Sequence, residues 1–403
     1  MSMLPQDDQV TYLVGNSDIE FDTRGLKPFD ELVCNFLGTL SSQLLKEVEV
    51  REFSDVVSFA FWCRKSNIYK LKEEFVKDNL RLGLGLAFHV TPSNVPVNFA
   101  FSFAISLLAG NANIVRVPSK RYKQIELICK VINKLFEQEQ FQPIAVMTAF
   151  IRYEKNNETT GLLSRQCDAR IIWGGNETVR QIRQLPVSER SREVIFPDRF
   201  SFAILNAKKV LQADDQMLQK LVNNFYNDTY FMDQNACSSP RLLVWLGDSD
   251  DILVAKERFW NGVIRDVKKE YELPAVNVID KYTHFCRDAI DLTDIESISR
   301  PDNYLYRISL NNLSDKIDTL RGKFGYFYEY ETDDINFVAP IIKNNYQTLT
   351  YYGIEKHVFT NFVMENRIAG IDRIVPIGSA LDISVIWDGY DLIQTLSRII
   401  EIK

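Results

Sequence analysis

Residues 84–120 read LGLAFHVTPSNVPVNFAFSFAISLLAGNANIVRVPSK, and this stretch decides the fold. An apolar run over 84–90 has the length of a buried strand. Pro92 and Pro96 then interrupt the strand, because each proline fixes φ and lacks an N–H. Residues 98–109 are apolar nearly all round, which predicts a buried helix.

A second strand follows this helix. Gly110 is placed as the residue that ends the helix, and residues 112–117 are again apolar and of strand length. Two strands joined by a crossover helix predict a parallel pair, and α/β sheets bind ligands outside the carboxyl ends of their strands. Ser93 and Asn94 lie at that end, so we expect chemistry in the loop after the first strand.

The composition is that of an ordinary globular protein. The chain has 403 residues, of which 46% are hydrophobic and 25% charged, a length sufficient for two domains. The net charge of -7 argues against nucleic acid or an anionic membrane as the main partner. The longest apolar run, 99–109, is about half of the ~20 residues that a membrane span requires. The polar start, MSMLPQDDQV, is unlike a secretory signal, so we expect a cytoplasmic protein without a membrane span.

The rest of the chain alternates strand and helix patterns, which predicts an α/β fold. Strand patterns lie at 145–150, 169–173, 200–205, 241–246, 304–310, 326–330 and 347–351, and helical patterns at 29–48, 55–77, 125–136, 214–231, 252–269 and 355–368. A boundary near Asn206 predicts a cofactor domain over 1–205 and a catalytic domain over 206–375. The segment 376–403 is expected to pack on the cofactor domain or on a partner subunit.

Six cysteines are scattered without a C-x-x-C pair, and the chain has only three histidines, which argues against a metal site or a disulfide framework. Cys237 lies in the polar break DQNACSSP (233–240), where a thiolate is favoured and backbone amides can face an oxyanion. The alternative is a cysteine in an ordinary loop. Cys286 is the rival, but it shares a face with His284 only in a strand, and no strand pattern surrounds them.

Two further loops carry candidate groups. Asn94 lies between two prolines, so its carboxamide could be held as a neutral oxyanion donor, although an Asx-type turn would also place an asparagine there. Gly174 and Gly175, between a strand and a helix, would let the backbone approach a phosphate at the helix N-terminus. Any tight β-α turn would look the same.

Cations cluster after the second strand. Ser119 is predicted as the N-cap of the next helix, so that Lys120, Arg121 and Lys123 would occupy its positive end. Carboxylates are normally favoured there, and a bound phosphate would explain the cations. Solvated side chains that bend away are the alternative.

The chain resembles the LuxC-type fatty acyl reductases of the aldehyde dehydrogenase superfamily in five segments. They are residues 88–120, RIIWGGNETV (170–179), DQNACSSPR (233–241), YQTLTYYG (346–353) and WDGYDLIQTLSR (387–398). The resemblance spans roughly residues 80–400. It implies a doubly wound cofactor domain beside an α/β catalytic domain, with the nicotinamide entering the cleft between them.

The resemblance also implies roles for individual residues. Cys237 would be the nucleophile that carries the acyl group as a thioester, and Asn94 would stabilise the oxyanion beside the Cys237 N–H. The residues expected to contact the cofactor are Thr91, Pro92, Ser119, Lys120, Gly174, Gly175 and Asn176.

The cofactor expected is NADPH. In the superfamily a lysine and a glutamate bracket the proline-serine pair after the second strand and touch the adenosine ribose. Here Val117 takes the lysine position and Lys120 the glutamate position. Replacing a carboxylate by a cation suits a 2′-phosphate.

Two departures bear on the reaction. Residues 200–203, FSFA, stand where the superfamily has E-L-G-G, so the carboxylate that activates hydrolytic water is absent. Reduction of an acyl group does not need that base, so the departure agrees with a reductase. The ribose-binding E-x-F-G-P motif is replaced by DRIVPIG (372–378), which leaves the ribose contact unassigned.

The sequence therefore predicts NADPH-dependent reduction of a fatty acyl thioester to an aldehyde. The expected acyl donor is acyl-CoA or an acyl-carrying synthetase or transferase protein, and a homo-oligomer is expected. The alternatives are a CoA-acylating aldehyde dehydrogenase, an acyl-phosphate reductase of a smaller substrate, and a nucleotide-binding scaffold without turnover.

Overall fold

The structure is a computed structural model that describes residues 5, 10–18, 20–75, 79–93 and 95–403. Two compact units make up the chain: Met1–Pro197 with Ile383–Lys403, and Asp198–Asp382. The boundary lies at Pro197 and not near Asn206, because the strand that ends at Asn206 pairs on both sides within the second unit. Among the described residues, no helix is long and apolar enough to cross a membrane.

The first unit is built on a mainly parallel sheet. The strands of this unit that precede Pro197 are β1 (Thr11–Val14), β2 (Arg81–Gly83), β3 (Leu86–Val90), β4 (Ala112–Arg116), β5 (Thr148–Arg152), β6 (Ala169–Trp173) and β7 (Arg192–Phe196), and all but β2 belong to the sheet. Its helices are α1 (Glu31–Leu44), α2 (Ser54–Trp62), α3 (Lys65–Phe75), α4 (Asn98–Leu108), α5 (Lys123–Phe136), α6 (Gln142–Ala145), α7 (Asn157–Gln166) and α8 (Asn176–Arg183).

The sheet order is β1-β5-β4-β3-β6-β7, with all neighbours parallel except β1. Alternate residues of the strands enter two separate apolar cores: Ala87 belongs to one, and Leu86 and Phe88 to the other. Both faces of the sheet are therefore covered, as continuous apolar strands require. The predicted parallel pair of β3 and β4, joined by a buried helix, is confirmed.

Local differences from the prediction have steric causes. Gly110 ends α4 with φ 93°, as expected of a residue after a helix. The strand begins at Leu86 and not at Leu84, because Gly85 between them has φ 136°, and a Cβ there would meet the Asp168 carboxylate at 2.1 Å. The helix predicted over 55–77 is two helices, α2 and α3.

The second unit also contains a mainly parallel sheet. Its strands are β8 (Phe200–Asn206), β9 (Leu242–Leu246), β10 (Ile295–Asp302), β11 (Leu305–Leu310), β12 (Tyr326–Thr332), β13 (Tyr346–Tyr352) and β14 (Arg373–Pro376). Its helices are α9 (Ala207–Gln212), α10 (Asp215–Asp228), α11 (Ser249–Glu270), α12 (Ala275–Asp291) and α13 (Lys356–Asn366). The order is β10-β11-β12-β9-β8-β13-β14, and only β10 is antiparallel to its neighbour. Neither α12 nor β10 was predicted.

The last residues return to the first unit. They form β15 (Ile386–Trp387), β16 (Tyr390–Asp391), α14 (Leu392–Thr395) and β17 (Ser397–Ile399), and β17 pairs with β2. The Asn111 amide donates to Leu396 O at 2.9 Å, and the Arg81 guanidinium donates to the Ser397 hydroxyl at 2.9 Å. Ile393 and Leu396 lie in the same apolar core as α4, so this segment completes the core of the first unit.

Candidate active site

The strand order of the first unit brings three predicted loops to one edge of the sheet. Strands β4, β3 and β6 are neighbours and parallel, so the residues that follow them meet at their carboxyl ends. Strand β4, which follows β3 in the chain, lies on one side of β3, whereas β6 and then β7 lie on its other side. Such a reversal leaves a crevice, which is where doubly wound sheets bind dinucleotides.

The loop after β3 is tied to the end of β4. The Thr91 hydroxyl donates to Arg116 O at 2.8 Å, and Thr91 is 8% exposed. The Tyr122 hydroxyl donates to Ser93 O at 2.7 Å. Pro92 lies between these two attachments and is half-buried. Asn94, the predicted oxyanion donor, lies outside the described residues.

The prediction for the segment after β4 needs correction. Helix α5 begins at Lys123 with Tyr122 as its N-cap, so Ser119 does not cap it, and Lys120 and Arg121 precede it. The cause is the contact of Tyr122 with the neighbouring loop, which holds its backbone extended at φ -125°, ψ 135°. Of the three cations predicted for the helix start, only Lys123 lies within the helix, and its ammonium forms an ion pair with a glutamate of another segment at 3.7 Å.

Lys120 remains a candidate for an anion. Its side chain is exposed and lies over the Tyr122 ring, 5.0 Å from the centroid. It forms no ion pair with a residue that the structure describes. Val117 is buried in the core, so the lysine position of the superfamily is filled by a group that cannot contact a ribose. These residues fit a ligand that carries negative charge at this point.

The turn after β6 leads directly into a helix. The Gly174 N–H donates to Phe196 O at 3.2 Å, Gly175 is the N-cap of α8, and Asn176 is its exposed first residue. A Cβ on Gly174 would lie 3.2 Å from two carbon atoms of Thr178, so a larger residue would push on the first turn of α8. Gly175 has no side chain with which to cap the helix, and a phosphate is a suitable acceptor at a helix N-terminus.

A buried hydrogen-bond chain fixes the aromatic residue before this turn. The Trp173 indole N–H donates to the Ser102 oxygen at 3.0 Å, and the Ser102 hydroxyl lies 2.7 Å from His89 Nδ1. His89 Nε2 lies 3.0 Å from Asn113 Oδ1, which can only accept, so the proton is on Nε2 and Ser102 donates to Nδ1. Burial lowers the pKa of His89 to about 4. A neutral, fully bonded imidazole is a structural group and not a general base.

In the second unit, Cys237 is set apart from the other cysteines. It is exposed, Cys286 is half-buried, and Cys34, Cys63, Cys129 and Cys167 are buried. Burial raises the pKa of Cys34 and Cys167 to about 11 and that of Cys129 to about 12. Thiolate chemistry at neutral pH is thereby disfavoured at these buried positions.

Cys237 lies just before β9, at the amino end of the parallel strands of the second unit. The Ser201 hydroxyl near the start of β8 donates to Cys237 O at 2.7 Å, and the Thr348 N–H of β13 donates to the same hydroxyl at 3.2 Å. The reactive candidate is thus attached to the framework of the sheet. The rule that places ligands at carboxyl ends would not have located it.

Gln234 holds the Cys237 loop in its shape, and no sequence pattern identified it. Its side chain is buried; Oε1 accepts from the N–H groups of Gly325 and Tyr326 at 2.8 and 3.1 Å, and Nε2 donates to Pro240 O at 3.4 Å. Its φ of 55°, like that of Asp233 before it, is rare for residues other than glycine. The loop is therefore strained locally and stabilised by distant contacts.

A buried guanidinium closes the loop on its other side. Arg241 is 4% exposed, and its Nη2 donates to Gln234 O at 3.0 Å and faces Ala236 O at 3.5 Å. Burial, and then the charge of Arg321, lower the pKa of Arg241 to about 10, and negative charge on Cys237 acts in the opposite direction. The Arg241 guanidinium is therefore a buried cation that interacts electrostatically with Cys237.

Replacing Gln234 with alanine is expected to lower the free energy of unfolding by about 2–4 kcal/mol, because buried backbone groups lose their partners. Urea unfolding followed by tryptophan fluorescence measures the change. The neighbouring Asn235→Ala, at a half-buried position, is the matched control and should change stability by less than about 0.5 kcal/mol. Equal stability of the two variants would contradict the role given to Gln234.

The chain is similar to known proteins in sequence and in structure. The family model described as acyl-CoA reductase (LuxC) matches residues 64–283, more than half of the chain. No curated protein matches the sequence. Solved structures with a similar fold include aldehyde dehydrogenase 21 from Physcomitrella patens in complex with succinate, with 12% identity, a TM-score of 0.62, and coverage of 92% of this chain and 85% of that one.

Two more structures show the same similarity. The NAD-dependent benzaldehyde dehydrogenase from Corynebacterium glutamicum has 11% identity and a TM-score of 0.58, with 92% of this chain and 84% of that chain covered. An indole-3-acetaldehyde dehydrogenase variant from P. syringae, in complex with NAD+ and IAA, has 12% identity and a TM-score of 0.62, with 91% and 82% covered. The predicted aldehyde-dehydrogenase-like α/β fold is confirmed.

Proposed function

Because the chain belongs to the LuxC family of acyl-CoA reductases, we propose that it reduces a fatty acyl thioester to the aldehyde through an acyl group carried on Cys237, with NADPH as reductant. One observation carries the proposal. Of the six cysteines, all in the described part of the chain, only Cys237 is exposed, and it lies in a loop held by Gln234 and Arg241. An accessible sulfur in a fixed loop beside a buried cation is suited to nucleophilic attack.

The first half of the reaction is acyl transfer. The Cys237 thiolate attacks the carbonyl carbon of acyl-CoA or of an acylated partner protein, and the carbonyl oxygen becomes an oxyanion. Asn94 and the Cys237 N–H are proposed to donate to that oxyanion. When it collapses, the bond to the donor sulfur breaks, the donor thiolate leaves, and the acyl group remains on Cys237.

The second half returns the enzyme to its starting state. NADPH, when bound, supplies the hydride that the acyl carbon accepts. The tetrahedral oxyanion on Cys237 then collapses, the carbon–sulfur bond breaks, and the aldehyde leaves while Cys237 regains its thiolate. Two electrons enter the acyl group, and no water takes part.

The surroundings of Cys237 agree with this direction. Strand β8 takes the place of the superfamily segment that carries the hydrolytic carboxylate, and its residues Phe200 to Ala203 are buried and neutral. An acyl-cysteine that lacks a positioned base for water persists until hydride arrives. Dehydrogenase activity that yields a free acid should therefore be slow.

The proposed cofactor residues are those at the carboxyl ends of β3, β4 and β6. They are Thr91, Pro92, Ser119, Lys120, Gly174, Gly175 and Asn176. The exposed cation of Lys120 and the glycine turn that leads into the N-terminus of α8 support the binding of phosphate groups. The absence of a carboxylate at the position of Lys120 favours NADPH over NADH.

Oxidation of NADPH in the presence of a long-chain acyl-CoA tests the proposal. We expect consumption of NADPH and formation of a fatty aldehyde in equal amounts. A series of acyl chain lengths separates a fatty acyl reductase from a CoA-acylating enzyme or acyl-phosphate reductase of small substrates. No NADPH consumption with any acyl donor would contradict the proposal and favour a scaffold without turnover.

Replacing Lys120 with glutamate is expected to lower the preference for NADPH over NADH at least about tenfold, because a charged hydrogen bond to phosphate is worth about 1.5–3 kcal/mol. The ratio of kcat/KM values with the two cofactors measures it. Lys130→Glu makes the same charge change within α5 and should leave the ratio unaltered. An unchanged ratio in Lys120→Glu would remove this residue from cofactor recognition.

A further inference from the structure

Helix α12 is fixed to the second unit by a polar inner face. The Lys281 ammonium is buried and donates to Phe324 O at 2.6 Å. The Asp288 carboxylate accepts from the Tyr326 hydroxyl at 2.6 Å. Phe285, between them on the same face, packs against the apolar core of the unit. These three side chains are four and three residues apart, so the orientation of the helix is set.

The opposite face of α12 is apolar and exposed. Val276, Ile279 and Ile290 are 69%, 67% and 82% exposed. With Thr283 and the half-buried Cys286 they form a stripe at spacings of three, four, three and four residues. This is the heptad spacing by which one helix packs along another. A monomer rarely exposes such a stripe without using it.

Two charges flank the stripe on one side. Asp280 and Arg287 are seven residues apart, so they lie on the same edge of the helix about two turns from each other. Both are exposed, and neither forms an ion pair with a residue in the described part of the chain. The stripe and its charged edge together define a surface, named here the α12 face.

We propose that the α12 face binds the same face of a second copy of the chain, with the two helices antiparallel about a two-fold axis. In the heptad register that opposes Thr283 to Cys286 of the second copy, Ile279 meets Ile290 of that copy. The same register sets Asp280 beside Arg287 of the other helix, and the symmetry makes each contact twice. The face is therefore complementary to itself in both shape and charge.

The neighbouring sheet edge is unsuited to the same task. Strand β10 has an irregular register between Ile295 and Ser297 and contains Pro301. Both features prevent an edge strand from pairing with another chain. The helix thus carries the contact, and since stable interfaces bury about 1,200 Å² or more, we expect a dimer that dissociates on dilution. The inference does not depend on the proposed activity.

Charge reversal tests the pairing most sharply. Asp280→Arg opposes two arginines and Arg287→Asp opposes two aspartates, so each variant should dimerise roughly tenfold more weakly than the unmodified protein. The double variant D280R/R287D should regain the original affinity. An equimolar mixture of the two single variants should form mixed dimers, because every pair is then of opposite charge. Sedimentation velocity of the full chain over a dilution series measures all four.

The apolar contact has its own test. Ile279→Glu should give a monomer at every concentration studied. Leu253→Glu, at a 72% exposed position of α11, makes the same change elsewhere and should leave the dimer intact. Unaltered circular dichroism of each variant shows that the unit is folded. An unmodified chain that is monomeric throughout, a dimer that Ile279→Glu does not dissociate, or a double charge variant that is not restored would overturn the proposal.

Discussion

Replacing Cys237 with serine is expected to abolish formation of the acyl-enzyme and to lower turnover of acyl-CoA at least about 1,000-fold. A serine hydroxyl is a weak nucleophile unless a base removes its proton, and no such base is assigned at this site. The loop should keep its shape, since the hydrogen bonds made by the side chains of Gln234 and Arg241 are left in place by the substitution. Stopped-flow measurement of NADPH oxidation with acyl-CoA gives the change in rate.

A second cysteine supplies the control. Cys167 is buried and its thiol donates to Ser164 O at 3.3 Å, a contact that a serine hydroxyl can also make. Cys167→Ser should therefore keep the rate of the unmodified enzyme within about twofold. If Cys237→Ser retained a comparable rate, the covalent mechanism would be wrong.

Replacing Asn94 with alanine is expected to slow kcat/KM for acyl-CoA on the order of 100-fold or more, because an oxyanion donor is worth about 2.7–4 kcal/mol of barrier. The effect should appear in acylation, which can be followed without NADPH as release of free CoA. Binding of NADPH should change little, since the amide is proposed to act on the substrate oxygen.

The matched change is Asn366→Ala at the exposed end of α13, which should leave kcat/KM unaltered. A value for Asn94→Ala within about threefold of the unmodified enzyme would exclude the oxyanion role. The alternative role, in which Asn94 forms a turn between two prolines, would then remain. It predicts that Asn94→Ala lowers the stability of the protein and leaves kcat/KM unaltered.

The parts of the fold that the sequence predicted are those formed by contacts near in the chain. The β3-α4-β4 unit is such a part, because two apolar strands and the apolar helix that joins them bury surface against each other within one short stretch of chain. The start of α5 was predicted three residues early, with Ser119 and not Tyr122 as the N-cap. The contact of Tyr122 with Ser93, which holds the preceding segment extended, joins residues 29 positions apart and leaves no local signal.

Helix α12 was missed for a different reason. Its inner face contains Lys281 and Asp288, whose partners are a carbonyl group just before β12 and a hydroxyl group of β12, while its isoleucines are exposed. A prediction that assigns apolar residues to the interior would exchange the buried and exposed faces of such a helix, or would not detect the helix. The domain boundary was placed too late because the pairing of β8 with β9 and β13 is likewise a long-range property.

The same distinction between local and long-range contacts applies to the candidate site. Cys237 was predicted because polar residues surround it in the chain, and its exposure agrees with that setting. Gln234 was not predicted, since its partners Gly325 and Tyr326 are 91 and 92 residues away. Local composition indicates a reactive group, whereas the groups that hold it in position follow from the fold.

The central claim is that one sulfur carries the acyl group. It is tested most directly by incubating the unmodified protein with a long-chain acyl-CoA in the absence of NADPH and analysing its peptides by mass spectrometry. We predict one acyl group per chain on the peptide that contains Cys237, lost as aldehyde when NADPH is added. An unacylated Cys237, or an acyl group on any other residue, would contradict the account.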